Sequence, residues 1–147
     1  MQWDREHPFV MPLTVSPSDI DDLGHANNAS YVSWLEQCAW AHSTSLGIGL
    51  DTFRALDRAM AVVRHELDYL ASAFDGDELL LGTWLTHWDR RLRMTRQFQV
   101  LRFRDGVTLL RATTSFACIE LSSGRPRRMP QAFLDGYGPA IHAEADE

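Results

Sequence analysis

Between Asp19 and Tyr31 the chain reads Asp-Ile-Asp-Asp-Leu-Gly-His-Ala-Asn-Asn-Ala-Ser-Tyr. Three carboxylates, a glycine, a histidine and two asparagines crowd a stretch that runs straight into an apolar segment of helical period. Asn27 or Asn28 is suited to cap a helix there. A helix start leaves backbone N–H groups pointing outward, and its dipole favours negative charge. Such a place can hold the oxyanion of a carbonyl under attack. A carboxylate a few residues upstream can serve as nucleophile or as general base for water. The residue types and spacing therefore suit acyl transfer to water. The same residues have a plainer reading. Asp19, Asp21 and Asp22 are common turn formers, and Asn28 can be nothing more than a cap.

The elements that must position this loop follow from periodicity. Phe9 to Ser16 is short and apolar, bounded by Pro12 and Pro17, and reads as an edge strand. Tyr31, Trp34, Leu35, Cys38 and His42 fall on one helical stripe, and Gly47 and Gly49 stop it, which predicts a helix over Asn28–Leu46. Trp40 lies off the stripe, so the helix is expected to be covered on a second side or to meet a partner chain. Asp51 to Asp57 can add one or two helical turns. From Ala61 the period changes to two, with Val63, His65, Leu67 and Tyr69 on one face. Strands are then expected over Leu79–Trp88, Arg93–Arg104 (Met94, Phe98 and Val100 on one face) and Val107–Leu121. Turn signals separate them at Asp75-Gly76-Asp77, Asp89-Arg90-Arg91 and Asp105-Gly106. One long helix against an antiparallel sheet of about five strands is an α+β layer fold. Such a sheet leaves an edge or a face uncovered, which a second subunit is expected to cover.

Composition removes other classes. The 147 residues suit one domain, 1–147, with a frayed tail over 139–147. The net charge is −6, which gives no general basic field for nucleic acid. All 14 basic residues are Arg, so a Schiff-base lysine and a P-loop are excluded. Cys38 and Cys118 stand far apart and read as buried small hydrophobes in a reducing compartment, and the six His show no metal-ligand spacing. No apolar run is long enough to span a membrane. Met1 to Pro12 carries Asp4, Arg5, Glu6 and His7 and does not read as a signal peptide. A cytoplasmic location is the expectation.

The pattern Asp-x-Asp-x-x-Gly-His-x-Asn-Asn followed by Tyr31 resembles the signature of hotdog-fold acyl-CoA thioesterases, in the branch of 4-hydroxybenzoyl-CoA thioesterase and its YbgC-like relatives. The resemblance extends to Tyr31–Glu36, Val62–Tyr69, the Gly76-Asp77 turn and Ser123-Gly124-Arg125-Pro126. It implies a hotdog fold, a curved antiparallel sheet wrapped around the long helix, and a homodimer or homotetramer with interfacial sites. It also implies that Asp21 is the catalytic carboxylate and that the Asn28 backbone N–H polarises the thioester carbonyl. The activity implied is hydrolysis of an acyl-CoA to a carboxylic acid and free coenzyme A, with no cofactor or metal.

The remaining candidates divide between site and scaffold. Asp19 is expected to organise the loop and Asp22 to face solvent. His25 either bonds loop carbonyls or lines the catalytic site. Tyr31 reads as pocket wall or core rather than acid. His65 is a core histidine or a site residue. Arg90, Arg91 and Arg93, and separately Arg125, Arg127 and Arg128, are solvated faces or a mouth for the phosphates of coenzyme A. The resemblance supports Arg90 and Arg91 for that role. Two alternatives stay open: an acyl-carrier-protein thioesterase, whose acidic partner would need the arginines on one face, and a non-catalytic acyl-CoA-binding hotdog module. A hotdog dehydratase would need an Asp and His pair that this loop does not place.

Overall fold

A computed structural model of the chain describes residues 2–142. Its strands are β1 (Phe9–Thr14), β2 (Arg58–Tyr69), β3 (Glu78–Trp88), β4 (Arg93–Arg102) and β5 (Thr108–Glu120). Its α-helices are α1 (Asn28–Ser45), α2 (Leu50–Leu56) and α3 (Gln131–Tyr137). The five strands form one sheet in the order β1-β3-β4-β5-β2. The expected α+β antiparallel architecture is the one observed.

Local chemistry sets the boundaries. β1 lies at one edge, antiparallel to β3, with Pro12 opposite Leu80. Only an edge tolerates a residue with no N–H to donate. Asn27 Oδ1 accepts the Ala29 N–H at 2.8 Å and caps α1. The helix ends one residue before the expected stop, and Gly47 follows at φ 84°. β2 begins at Arg58, earlier than the period-two signal, because Asp57 turns the chain sharply at φ 53°. The Asp57 carboxylate accepts the Ser122 N–H (2.9 Å) and hydroxyl (2.7 Å), tying the start of β2 to the turn after β5.

The contacts group into two compact units. The first holds the chain up to Ala41, Leu67–Thr83 and Phe98–Ala112. Its core packs Tyr31, Trp34, Leu35 and Cys38 of α1 with Leu79, Leu81, Phe98, Val100, Leu109 and Leu110 of the strands. Each such leucine buried contributes ~1.5–3 kcal/mol. The N-terminal segment also belongs here. Gln99 is fully buried, its amide bonded to the Gln2 carbonyl, the Asp4 N–H and the Thr108 hydroxyl. Arg111 forks onto the Asp4 carboxylate at 2.7 and 3.1 Å. Gly82 leaves room for the Trp3 ring, where a Cβ would approach to 2.5 Å.

The second unit holds His42–Glu66, Trp84–Gln97 and the chain from Thr113. Phe53, Phe133 and Tyr137 form a run of rings with centroids 5.2 and 5.7 Å apart, and the Tyr137 and Ser43 hydroxyls are 2.8 Å apart. α3 is a helix that the sequence did not announce. Beyond it Ile141 bridges Leu85, and the His142 N–H donates to the Leu85 carbonyl at 2.6 Å. Of the tail expected over 139–147, Ile141 and His142 are thus paired with β3, and residues 143–147 lie outside the described part. β2 departs from the expected two-faced strand. Val62 and Val63 are 51% and 52% exposed, so neighbouring residues on opposite faces both meet solvent. Among the described residues no helix is long and apolar enough to cross a membrane.

Candidate active site

In the first unit the Asp19–Asn28 loop is a closed, bonded structure. The Asp19 carboxylate accepts the Ser16 N–H (3.0 Å) and hydroxyl (3.1 Å), and its carbonyl accepts the Asn27 N–H at 2.8 Å. Asp19 thus organises the loop, as its position suggests. Ile20 bridges Ala26, and the Asp21 N–H donates to the His25 carbonyl at 2.9 Å. Inside this hairpin Asp21 Oδ1 accepts the N–H groups of Leu23 (2.8 Å) and His25 (3.4 Å). Gly24, at φ 83°, permits the reversal. Asp21 and Asp22 are exposed. One Asp21 oxygen is thereby held by backbone amides, which fixes the carboxylate.

His25 is half-buried, with its ring centroid 5.2 Å from that of Phe74. Its Nδ1 is buried and has no hydrogen-bond partner, so that atom does not bond a loop carbonyl. Asn27 is the cap, and Asn28 becomes the first helical residue. Its N–H is one of those that a helix start leaves without an internal partner. The Asn28 carbonyl accepts the Tyr69 hydroxyl at 3.1 Å. Tyr31 is buried, and its hydroxyl oxygen accepts the Ala73 N–H at 2.9 Å. Burial pushes its hydroxyl above the usual range, against the pull of that N–H, which suits a wall and not an acid. Asp21, His25, Asn28 and Tyr31 thus belong to one loop–helix junction.

The second unit holds the other candidates. His65 is exposed, with Nδ1 2.8 Å from the Thr114 hydroxyl; it is not a core histidine. Arg90 adopts φ 61° and sets its guanidinium 5.8 Å from the centre of the Trp88 ring. Asp89 Oδ1 accepts the N–H groups of Arg91, Leu92 and Arg93 at 2.8, 2.8 and 2.9 Å. Desolvation works against its ionisation, but these amides outweigh it and hold the carboxyl below its usual range. The second arginine segment folds back beside this turn. The Arg127 N–H reaches the Cys118 carbonyl (3.1 Å), the Cys118 N–H the Leu92 carbonyl (2.7 Å), and the Met129 N–H the Arg91 carbonyl (2.7 Å). Two arginine clusters that sequence alone keeps separate are therefore neighbours, with Arg127 Nε 3.3 Å from Glu120.

Three contributors escaped the sequence reading. Phe74 is an aromatic in an otherwise polar turn, and that mismatch was its signal. Thr114 lies in phase with Ala112 and Phe116 on β5, a polar residue in a buried row. Arg96 is in phase with Met94, Phe98 and Val100 and is buried with them. Both cysteines are buried and neither is in a disulfide. Burial pushes the Cys118 thiol up to about 11, with Arg58 opposing, so it is no thiolate nucleophile. Among the described residues no cluster of His, Cys, Asp or Glu could hold a metal ion.

The sheet order and the loop–helix junction define a hotdog fold, and comparison with solved structures agrees. A 1,4-dihydroxy-2-naphthoyl-CoA thioesterase from Synechocystis superposes with a TM-score of 0.82 at 21% identity, over 92% of this chain and 99% of that one. A Staphylococcus aureus hypothetical protein in complex with CoA gives 0.83 at 17% identity, over 100% and 94%. The 12:0-ACP thioesterase from Umbellularia californica gives 0.79 at 18% identity, over 95% of this chain and 55% of that one. At such identities the likeness establishes the fold. Among curated proteins none matches. The family model of the thioesterase-like superfamily matches residues 15–136, and the chain belongs to that family. It is a thioester hydrolase.

Proposed function

We propose that the substrate is an acyl-CoA and that the chain belongs to the 4-hydroxybenzoyl-CoA and YbgC-like branch of its superfamily. One observation carries this reading: the Asp21 carboxylate, fixed by the amides of Leu23 and His25, stands on the same short loop that ends at the Asn28 N–H. Oδ2 of Asp21 either attacks the thioester carbonyl or takes a proton from the attacking water. In the first case a mixed anhydride forms, coenzyme A leaves as thiolate and gains a proton, and water then hydrolyses the anhydride. In the second, water adds directly and the tetrahedral intermediate expels the thiolate. Both need a donor for the carbonyl oxygen, and the Asn28 N–H supplies it, worth ~3–4 kcal/mol when well placed. His25 lines the Asp21 turn and Tyr31 stands behind the helix start, while His65 of β2 is a further residue assigned to substrate binding. Arg90 and Arg91, with Arg125, Arg127 and Arg128 beside them, take the phosphates of coenzyme A. No cofactor or metal enters the scheme.

The reading includes a homodimer, or a pair of them, with the sites at the interface. Its support is the edge strand β2, with an exposed valine on each face (Val62 and Val63), an edge that a second copy would cover. A cytoplasmic setting accords with two buried cysteines that form no disulfide. One observation favours a second reading. The two arginine segments pair through their backbones, which supports the docking of an acidic acyl carrier protein. Thiol release from a panel of aliphatic and aromatic acyl-CoA esters, beside the same acyl groups on carrier protein, tests both. Release from neither, with tight acyl-CoA binding, would point to a non-catalytic module instead.

A further inference from the structure

Arg102, at the end of β4, is shielded from solvent together with Asp77, their side chains 11% and 12% exposed. Its Nε reaches the Asp105 carboxylate at 3.2 and 3.1 Å, and Nη1 donates to the Ser72 carbonyl at 3.2 Å and lies 3.7 Å from Asp77 Oδ2. The same Asp77 oxygen accepts the Phe74 N–H at 3.0 Å, and the Asp77 N–H returns to the Phe74 carbonyl at 3.0 Å. A half-buried ion pair therefore ties the two ends of the Ser72–Asp77 loop to Arg102. What the loop presents forward is the Asp21 hairpin's support. The Ala26 N–H donates to the Ala73 carbonyl at 2.9 Å, the Ala73 N–H to the Tyr31 hydroxyl at 2.9 Å, and the Phe74 ring packs on His25.

Phe74 is 42% exposed, so core burial does not account for an aromatic there. The His25 imidazole has a buried Nδ1 with no hydrogen-bond partner, and the Phe74 ring packs against it tilted by 43°, with centroids 5.2 Å apart. The His25 backbone is in turn bonded to Asp21 twice, its carbonyl accepting the Asp21 N–H and its N–H donating to Asp21 Oδ1. We propose that Phe74 is a positioning residue: carried on the loop that Arg102 and Asp77 close, it holds the His25 imidazole, and through His25 the Asp21 turn, in the geometry that turnover requires. The hold on His25 stands by itself; its consequence for turnover rests on the Asp21 reading.

The test uses the full chain, Phe74→Ala, Phe74→Tyr and Arg102→Gln, with two readouts. The His25 imidazole Cε1–H resonance, assigned with His25→Gln, reports the ring current of Phe74. Phe74→Ala moves it to the position of an unstacked imidazole, Phe74→Tyr leaves it, and Arg102→Gln moves it from a distance. Should Arg102→Gln not fold, Phe74→Ala at its exposed position carries the test. With benzoyl-CoA or hexanoyl-CoA as probe, Phe74→Ala lowers kcat about tenfold with KM within twofold, and Phe74→Tyr restores it. An unmoved His25 signal, or a kcat for Phe74→Ala within twofold of the parent, overturns the proposal. If Asp21→Asn keeps full turnover, the Asp21 reading fails, and the resonance still decides whether Phe74 holds His25.

Discussion

A nitrogen of the buried Arg96 guanidinium lies 2.8 Å from Nδ1 of His42. A guanidinium has only donors, so His42 Nδ1 is the acceptor and the neutral ring carries its proton on Nε2. Burial, and then the Arg96 charge, lower the His42 pKa to about 4. The unfolded chain gains a proton on this histidine near pH 6.5, whereas the folded chain resists until about pH 4. The His42 contribution is thus fully present above about pH 6.5 and is lost as the pH falls toward 4. A loss on the order of 3 kcal/mol is expected over that window. Thermal melts from pH 7 to 4 check it: His42→Gln, which keeps an acceptor for Arg96, flattens the slope. An unchanged slope in that variant would place the pH dependence elsewhere.

Both thiols lie in the interior and the Cys118 thiol titrates high. Neither is expected to react with an aromatic disulfide reagent at pH 8 until denaturant is added, and Cys118→Ala keeps full turnover. Rapid labelling of the native chain would contradict the burial.

The paired arginine segments predict a charge-dependent KM. Arg90→Glu with Arg91→Glu raises KM for a coenzyme A ester about tenfold and leaves kcat within a few-fold, because the phosphates bind far from the bond that breaks. Added salt raises the parent's KM in the same sense. If carrier-protein substrates suffer more than coenzyme A esters, the second reading gains; if neither KM moves, the arginines are only a solvated face.

α1 was legible because its stripe, cap and glycine stop are local, and the turn residues placed the hairpins for the same reason. The seven residues of α3 are too few to show a period. Phe133 and Tyr137 gain their meaning from Phe53 and Ser43, far away in sequence. The pairing of Met129 with Arg91 is equally non-local, so two arginine clusters looked independent. His42 and Arg96 each stood in an apolar row, and only the fold shows that they share a hydrogen bond. At the candidate site the loop's residue types suggested the chemistry, while Phe74 and Arg102 act through contacts that no spacing rule reports.

The central claim is that the Asp21 carboxylate drives thioester cleavage. The most direct measurement is thiol release by Asp21→Asn beside the parent chain, on the acyl-CoA ester that the parent hydrolyses fastest, with the melt and the oligomeric state recorded for both. The exposed position of Asp21 and the retained amide oxygen predict an unchanged fold. The account predicts that turnover falls at least about a hundredfold, the loss expected for a removed base or nucleophile. Turnover within a few-fold of the parent, in a variant that melts and assembles like it, would contradict the account.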